Sequence, residues 1–143
     1  MTIVAAHVAI ENKFATEWAS ATDIKYENVD FDIPTTSWVE LQIRFGKGSK
    51  ISLGDGVQLR RTVGTLFVNV YTPKSGGAKP SNTLVDSAIA IFRDLVVSNV
   101  TFYEASVNVI GEKYYPSSGS GVSATTQWWE TVIGIPFKYD EYV

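Results

Sequence analysis

The chain has 143 residues, among them no cysteine and only one histidine. The lack of cysteine excludes disulfide bonds, thiolate nucleophiles and zinc fingers, and it suits a reducing cytoplasm. His7 falls on the apolar stripe of a predicted helix, so we interpret it as a partly buried, hydrogen-bonded residue rather than a metal ligand or base. No apolar run approaches the ~20 residues of a membrane span, and the N-terminal segment lacks the basic start of a signal peptide. We therefore expect a fold held by packing alone and no contact with a membrane.

The charge of the chain is slightly acidic. The net charge is −3, so the whole molecule has no field that would attract a phosphate backbone, although this does not exclude a local basic patch. Asp30 and Asp32 form the closest same-side acidic pair, which we interpret as a solvated strand edge rather than a calcium site. The glycine-rich segment 46–61 lacks P-loop spacing, and "SSGSG" is not a nucleophile elbow. The sequence predicts no catalytic residue, no cofactor and no metal site.

What the sequence does contain is a strict alternation of apolar and polar residues, which is typical of half-buried strands. In "SWVELQIRF" and "GTLFVNVYTPKSGG" the residues predicted to face the core are Val39, Leu41, Ile43, Phe45, Leu66, Val68 and Val70. Pro73 should end the second strand, because proline has no N–H to donate. Segment 46–61, which joins the two strands, is predicted to form a hairpin loop with a short strand.

Two segments have the spacing of amphipathic helices. The first begins at Ile3, and its stripe continues through Ile10, Phe14 and Trp18. For the second helix, Ser81 is the predicted N-cap, and the helix should end near Ser98.

The C-terminal part is β in character. Ala105, Val107 and Val109 are predicted to face the core, as is Ile133 in the last strand, and Pro136 indicates an edge or the end of a strand. We predict an α+β fold in a single domain over residues 1–143, with a mostly antiparallel sheet and two main helices packed on one face.

The sheet face turned away from the helices is expected to be rich in aromatic residues, namely Trp38, Phe67, Tyr71 and Trp128, mixed with Glu40, Arg44 and Glu130. Aromatic residues with a polar rim are typical of protein interfaces, so this face is a candidate contact surface. The alternative is that loops of the same chain pack over it.

Two other segments are candidates for contact with a partner. The loop after Pro73 contains Lys74, Ser75, Gly76 and Gly77, and its sequence "KSGGAKP" cannot bury enough apolar surface to order itself. Arg60 and Arg61 either meet an acidic partner or are simply solvated, and we favour the solvated interpretation.

The chain carries "YENVDFDIP" followed by "WVELQI", then "GTLFVNVYTPKSGG" leading into a helix with "AIAIF", and finally "WWETVIGIPF". In this order the segments resemble phage tail terminator proteins of the lambda-like long-tailed class, from about Ile3 to Phe137. These signatures are structural rather than catalytic.

The resemblance implies a structural phage protein that forms a hexameric ring, caps the tail tube, ends its polymerisation and offers a surface to the head. The implied partners are further copies of the chain, the tail tube protein and a head-completion or connector protein, with DNA passage through the ring as the sole nucleic-acid contact. The implied location is the head-proximal end of the tail in the virion, and the host cytoplasm during assembly. The loop from Pro73 to Pro80 would be flexible in the free protein and would order on assembly.

Two alternatives remain open. The first is another phage neck or tail completion protein of similar fold, which would differ in its partners rather than in its residues. The second is a small α+β ligand-binding domain or enzyme, which would need a pocket with convergent polar groups. The sequence offers no candidates for such groups.

Overall fold

The computed structural model of the protein describes residues 3–51, 56–116 and 125–142. Its helices and mostly antiparallel sheet form an α+β fold, as the sequence predicts. In chain order the elements are α1 (Ile3–Trp18), β1 (Asp23–Lys25), β2 (Trp38–Lys50), β3 (Leu59–Pro73), α2 (Ala78–Phe92), β4 (Val96–Val97), β5 (Val100–Phe102), β6 (Ser106–Pro116) and β7 (Thr125–Tyr142).

The sheet has the strand order β1-β2-β3-β7-β5-β4, and β6 pairs with β7 on the same side as β5. Among the described strands, only β1 and β2 run parallel; the other pairs are antiparallel. A hairpin joins β2 to β3, but its loop is shorter than the predicted segment 46–61, because residues 46–50 belong to β2 and residues 59–61 to β3. The strand β3 ends at Pro73, as the sequence predicts. The long strand β7 therefore lies in the middle of the sheet.

Pro136 lies inside β7, so its predicted place at an edge or strand end is wrong. On one side it is the register partner of Thr65 in β3, and on the other its carbonyl accepts the N–H of Tyr103 at 2.9 Å. The N–H and C=O of a strand residue point to the same side, so the missing N–H faces the junction where β5 gives way to β6. A proline is tolerated here because no ladder hydrogen bond is required of it.

One face of the sheet is covered by the two helices. The buried residues of α1 are Ala6, Ile10, Phe14 and Trp18, and they pack with the predicted apolar faces of β2 and β3 in one core. The alternation therefore predicted this face correctly. Phe14 also stacks on Phe92 of α2, with ring centroids 6.0 Å apart, which joins the two helices.

The second helix begins and ends earlier than the sequence predicts. Its N-cap is Gly77 rather than Ser81; Ser81 lies inside the helix, buried, with its hydroxyl 3.0 Å from the hydroxyl of Thr131. A serine hydroxyl can hydrogen-bond either to the backbone at the start of a helix or to another side chain. In this structure the hydroxyl of Ser81 lies against Thr131 of β7. The helix ends at Phe92 instead of near Ser98, because Arg93 takes an extended conformation and Asp94 follows with φ 53°.

Val107 and Val109 are exposed, so their predicted place in the core is wrong. The exposed fraction is 49% for Val107 and 57% for Val109. Both residues follow the alternation of a half-buried strand. They are exposed because α2 packs against β3 and β7, whereas β6, which pairs with β7, receives little cover from a helix.

Candidate interface surfaces

Three predicted interface residues, Trp38, Tyr71 and Trp128, form an aromatic cluster on the sheet face opposite the helices. The rings of Trp38 and Tyr71 are stacked with centroids 4.1 Å apart, and Trp128 stands perpendicular to Trp38 at 6.0 Å. Both arrangements are favourable for aromatic quadrupoles. None of the three side chains has exposed surface in the single chain.

The aromatic cluster is covered by a strap, which we define as residues 26–37 between β1 and β2. Phe31 and Ile33 of the strap pack on the aromatic cluster, and the ring centroid of Phe31 lies 5.3 Å from that of Trp38. The structure therefore favours intramolecular packing at this end of the face. A direct contact with a partner would require the strap to move, and this role of the aromatic cluster stays a prediction.

A carboxylate that the sequence placed on the polar rim is buried beside the aromatic cluster. Glu130 is 5% exposed, and it accepts a hydrogen bond of 2.5 Å from the hydroxyl of Tyr71. The Nζ of Lys113 lies 3.6 Å from the same carboxylate oxygen. A buried charge is stable only when it is paired and hydrogen-bonded, and Glu130 meets both conditions. Its partners are far away in sequence, so no local pattern could have revealed the arrangement.

Phe67, the fourth predicted aromatic, lies on the same sheet face but outside the aromatic cluster. It is half-buried, and its register partners are Gln42 in β2 and Gly134 in β7. Of the four aromatic candidates, it alone keeps accessible surface. Its role in an interface stays a prediction.

The predicted contact loop is shorter than the sequence suggests, because Ala78, Lys79 and Pro80 belong to α2. The remaining residues, Lys74–Gly77, are exposed, and Ser75 and Gly77 have positive φ values of 72° and 82°. Lys74 pairs with Glu112 of β6 at 3.1 Å. The loop and half-buried Trp129 border an open groove of about 350 Å³, so a neighbouring protein has access to both.

Arg60 and Arg61 have different surroundings. Arg61 donates two hydrogen bonds to the carboxylate of Asp140, at 2.7 and 3.0 Å, whereas Arg60 points into solvent. The hydrogen bonds from Arg61, together with that from Lys138, lower the pKa of Asp140 against the raising effect of burial. Arg61 is thus held within the chain. Arg60 is exposed, and the choice between solvation and contact with an acidic partner stays a prediction.

Glu27 closes part of the outer edge of β2, beyond the three residues that pair with β1. Its carboxylate accepts the backbone N–H of Ile43 and pairs with Arg44 at 2.7 Å. Burial alone would raise the pKa of Glu27, but the hydrogen bonds from Ile43 and Arg44 outweigh it and lower the pKa. An ionised side chain on an edge N–H discourages the addition of a foreign strand there.

Exposed aliphatic side chains gather at three places that sequence reasoning did not single out as surfaces. The first group, on the first turns of α1, is Ile3, Val4 and Val8. The second, at the end of the β2–β3 hairpin, is Ile51 and Val57, and the third, on β6, is Val107, Val109 and Ile110. The alternation and helical period that identify apolar residues do not reveal which of them lack a neighbour.

The described residues contain no group of three or more side chains suited to hold a metal ion. His7 pairs with Glu11 of the same helix at 3.2 Å and is half-buried, as predicted. Asp30 and Asp32 are exposed, which agrees with a solvated pair. Neither described helix has the length and apolar character that crossing a bilayer requires.

Comparison with known structures places the fold among solved proteins. One structure without a descriptive name aligns with a TM-score of 0.65 and 19% sequence identity, covering 100% of this chain and 99% of the other. At this identity the likeness shows the fold alone. No curated protein matches the sequence.

Comparison with protein families gives a more specific result. A family model described as "Phage tail terminator protein" matches residues 5–137, which is most of the chain. The match begins inside the first turn of α1 and ends at Phe137 within β7. The chain belongs to the phage tail terminator family.

Proposed function

We propose that this protein is a structural, non-catalytic component of a phage tail that forms a ring, caps the tail tube and ends its polymerisation. The observation that carries the proposal is the family match over residues 5–137. Family membership supports a structural role in the tail and a location in the virion. The ring of six copies, the head-proximal position and the passage through the host cytoplasm during assembly are part of the proposal.

The loop Lys74–Gly77 is the surface that we assign to the tail tube. It is exposed, it lies beside an open groove, and the antiparallel ladder between β3 and β7 continues up to Pro73 and holds its base in place. A rigid strand that presents a small polar loop suits a contact that forms when a tube end is available. A second surface of the ring would meet the head-completion or connector protein.

The first test is native mass spectrometry over a range of protein concentrations, with and without assembled tail tubes. Six-fold species, or monomers that form rings when tube ends are added, support the proposal. A strict monomer that ignores tubes would contradict it.

A loop variant tests the surface assigned to the tube. Lys74→Glu reverses a charge in the loop and breaks the pair with Glu112, so it should weaken binding to tube ends while the ring still forms. Arg93→Glu makes the same charge change at the exposed end of α2, outside the predicted loop from Pro73 to Pro80, and serves as the control. If Lys74→Glu binds tube ends as tightly as Arg93→Glu and the unaltered chain, the loop is not the tube contact.

The alternative function is that of another neck or tail completion protein. It would form a similar ring and would bind the head connector without the tail tube. Pull-down with separated tubes and heads distinguishes the two functions, because a terminator must bind tube ends.

A further inference from the structure

The end of the β2–β3 hairpin concentrates positive charge. Residues 46–61 contain four basic side chains and one acidic side chain, a local charge of +3, so the rest of a chain with net charge −3 carries −6. Arg61 is neutralised by Asp140, but Lys47, Lys50 and Arg60 are exposed and have no ion-pair partner among the described residues.

Two of these cations are placed against each other. Lys50 and Arg60 are direct register partners across the hairpin, and like charges directly opposite in a sheet are destabilising. Beside them the apolar side chains of Ile51 and Val57 are 45% and 74% exposed. A surface that is acidic and partly apolar would offset the repulsion between the two cations and remove the two apolar side chains from water.

The strap end of the molecule has the complementary chemistry. Asp23 is the register partner of Trp38, and Asp30 and Asp32 flank Phe31, whose ring lies against Trp38. The three carboxylates are exposed and have no ion-pair partner among the described residues. Val29, next to Asp30, is 57% exposed and adds an apolar group.

The two charged surfaces lie at opposite ends of one strand. The strap covers the start of β2 at Trp38. The exposed cations Lys47, Lys50 and Arg60, which we call the basic hairpin, lie at the other end of β2. The 13 residues of β2 span roughly 40 Å, several times the screening length of about 8 Å at physiological salt. The charges therefore cannot neutralise each other within one chain, but two copies placed head to tail can bring them together.

We propose that the basic hairpin of one copy docks on the acidic strap of the next copy and on Asp23 of β1 beside the strap. Lys47, Lys50 and Arg60 meet Asp23, Asp30 and Asp32, and the contact joins two different patches, as a ring requires. A second copy fits better than nucleic acid, because the strap matches both the charge and the apolar side chains of the hairpin, whereas a phosphate backbone matches the charge alone. This inference rests on the proposed ring and names the surfaces that build it.

Charge reversal with exchange between copies tests the contact. One variant carries Lys47→Glu with Lys50→Glu, and the other carries Asp30→Lys with Asp32→Lys. Each alone places like charges at the contact and should weaken self-association at least about tenfold. Mixed in equal amounts, the two variants should assemble again in an alternating order, which native mass spectrometry detects as a 1:1 composition.

The controls separate a lost contact from a lost fold. Arg93→Glu at the end of α2 and Asp86→Lys on its exposed side change charge away from both surfaces and should leave assembly unchanged. If a reversed variant unfolds early in a thermal melt, Lys47→Gln with Lys50→Gln is used instead, and it should weaken assembly less than reversal and become insensitive to salt.

Each outcome decides one question. If the unaltered protein does not associate alone or on tubes, the proposed ring fails and the contact fails with it. If it associates and the reversals have no effect, or if the mixture does not recover, the contact is wrong and the ring stands. A hairpin variant that assembles normally but loses binding to tail tubes or to a short DNA duplex would assign the hairpin to that partner instead.

Discussion

Trp38 and Tyr71 stack with their ring planes 17° apart on the sheet face that the helices leave uncovered. Trp128 closes the aromatic cluster at the same end of the face, and Phe31 covers it from the strap. The protein thus has two separate cores, one on each face of a single sheet. The smaller core holds the strap in the position where its acidic residues face outward.

Replacing Trp128 by alanine should destabilise the free chain strongly. Its side chain is fully buried, and removal of a large core aromatic costs about 3–5 kcal/mol. Trp129→Ala is the matched control, because Trp129 is half-buried at the groove. Its replacement should lower the free energy of unfolding clearly less. Urea unfolding measures both. An unchanged free energy of unfolding for Trp128→Ala, with weakened assembly, would instead make Trp128 an interface residue.

Much of the larger core could be predicted from the sequence, because burial on one face imposes a period of two on a strand. Val39 and Val68 follow that rule and are buried. Val107 follows it too and is exposed, because the cover of a strand depends on where the helices lie, which a local pattern does not contain.

The candidate surfaces were harder to predict for the same reason. Aromatic alternation indicated the face of Trp38 and Tyr71, but an interface and an internal cover produce the same pattern. The cover comes from Phe31 and Ile33, in a segment with no periodicity. The partner of Glu130 is Tyr71, 59 residues earlier in the chain.

Gly64→Ala should destabilise the fold, because β3 has no room for a side chain there. An added Cβ would lie 2.5 Å from the carbonyl oxygen of Arg44 and 2.6 Å from the ring of Phe137. Overpacking of this kind costs about 1–3 kcal/mol. Thermal denaturation should therefore show a lower midpoint.

Gly76→Ala provides the control for this substitution. Its nearest neighbour would be the carbonyl oxygen of Pro73 at 3.4 Å, an ordinary contact. A glycine in an unstrained loop position tolerates alanine, which lowers the entropy of the unfolded chain by an amount worth about 0.4–1 kcal/mol. Equal midpoints for the two variants would contradict the close approach at Gly64.

Tyr71→Phe should destabilise the protein through Glu130. The change removes the hydroxyl donor and leaves a buried carboxylate with less compensation, at a cost of about 1–3 kcal/mol. Tyr103→Phe, at an exposed tyrosine, should change the free energy of unfolding little. In a double-mutant cycle, Glu130→Gln should recover part of the loss, and strictly additive effects would refute the coupling.

The pair of Arg61 and Asp140 predicts a pH dependence of stability. The pKa of Asp140 is lowered in the folded chain from the 3.8 of an unperturbed group, chiefly by the hydrogen bonds from Arg61. A carboxylate with a depressed folded pKa stabilises the protein above its unfolded pKa, and this contribution is lost as the pH falls through the folded value.

Asp140→Asn should therefore be less stable than the unaltered chain at pH 7, and the difference should shrink below about pH 5. Urea unfolding at several pH values measures this convergence. Asp86→Asn, which removes an exposed carboxylate without an ion pair among the described residues, should run parallel to the unaltered chain throughout. If Asp140→Asn also stayed parallel, the pair with Arg61 would contribute nothing to stability, and Arg61 would be as available to a partner as Arg60.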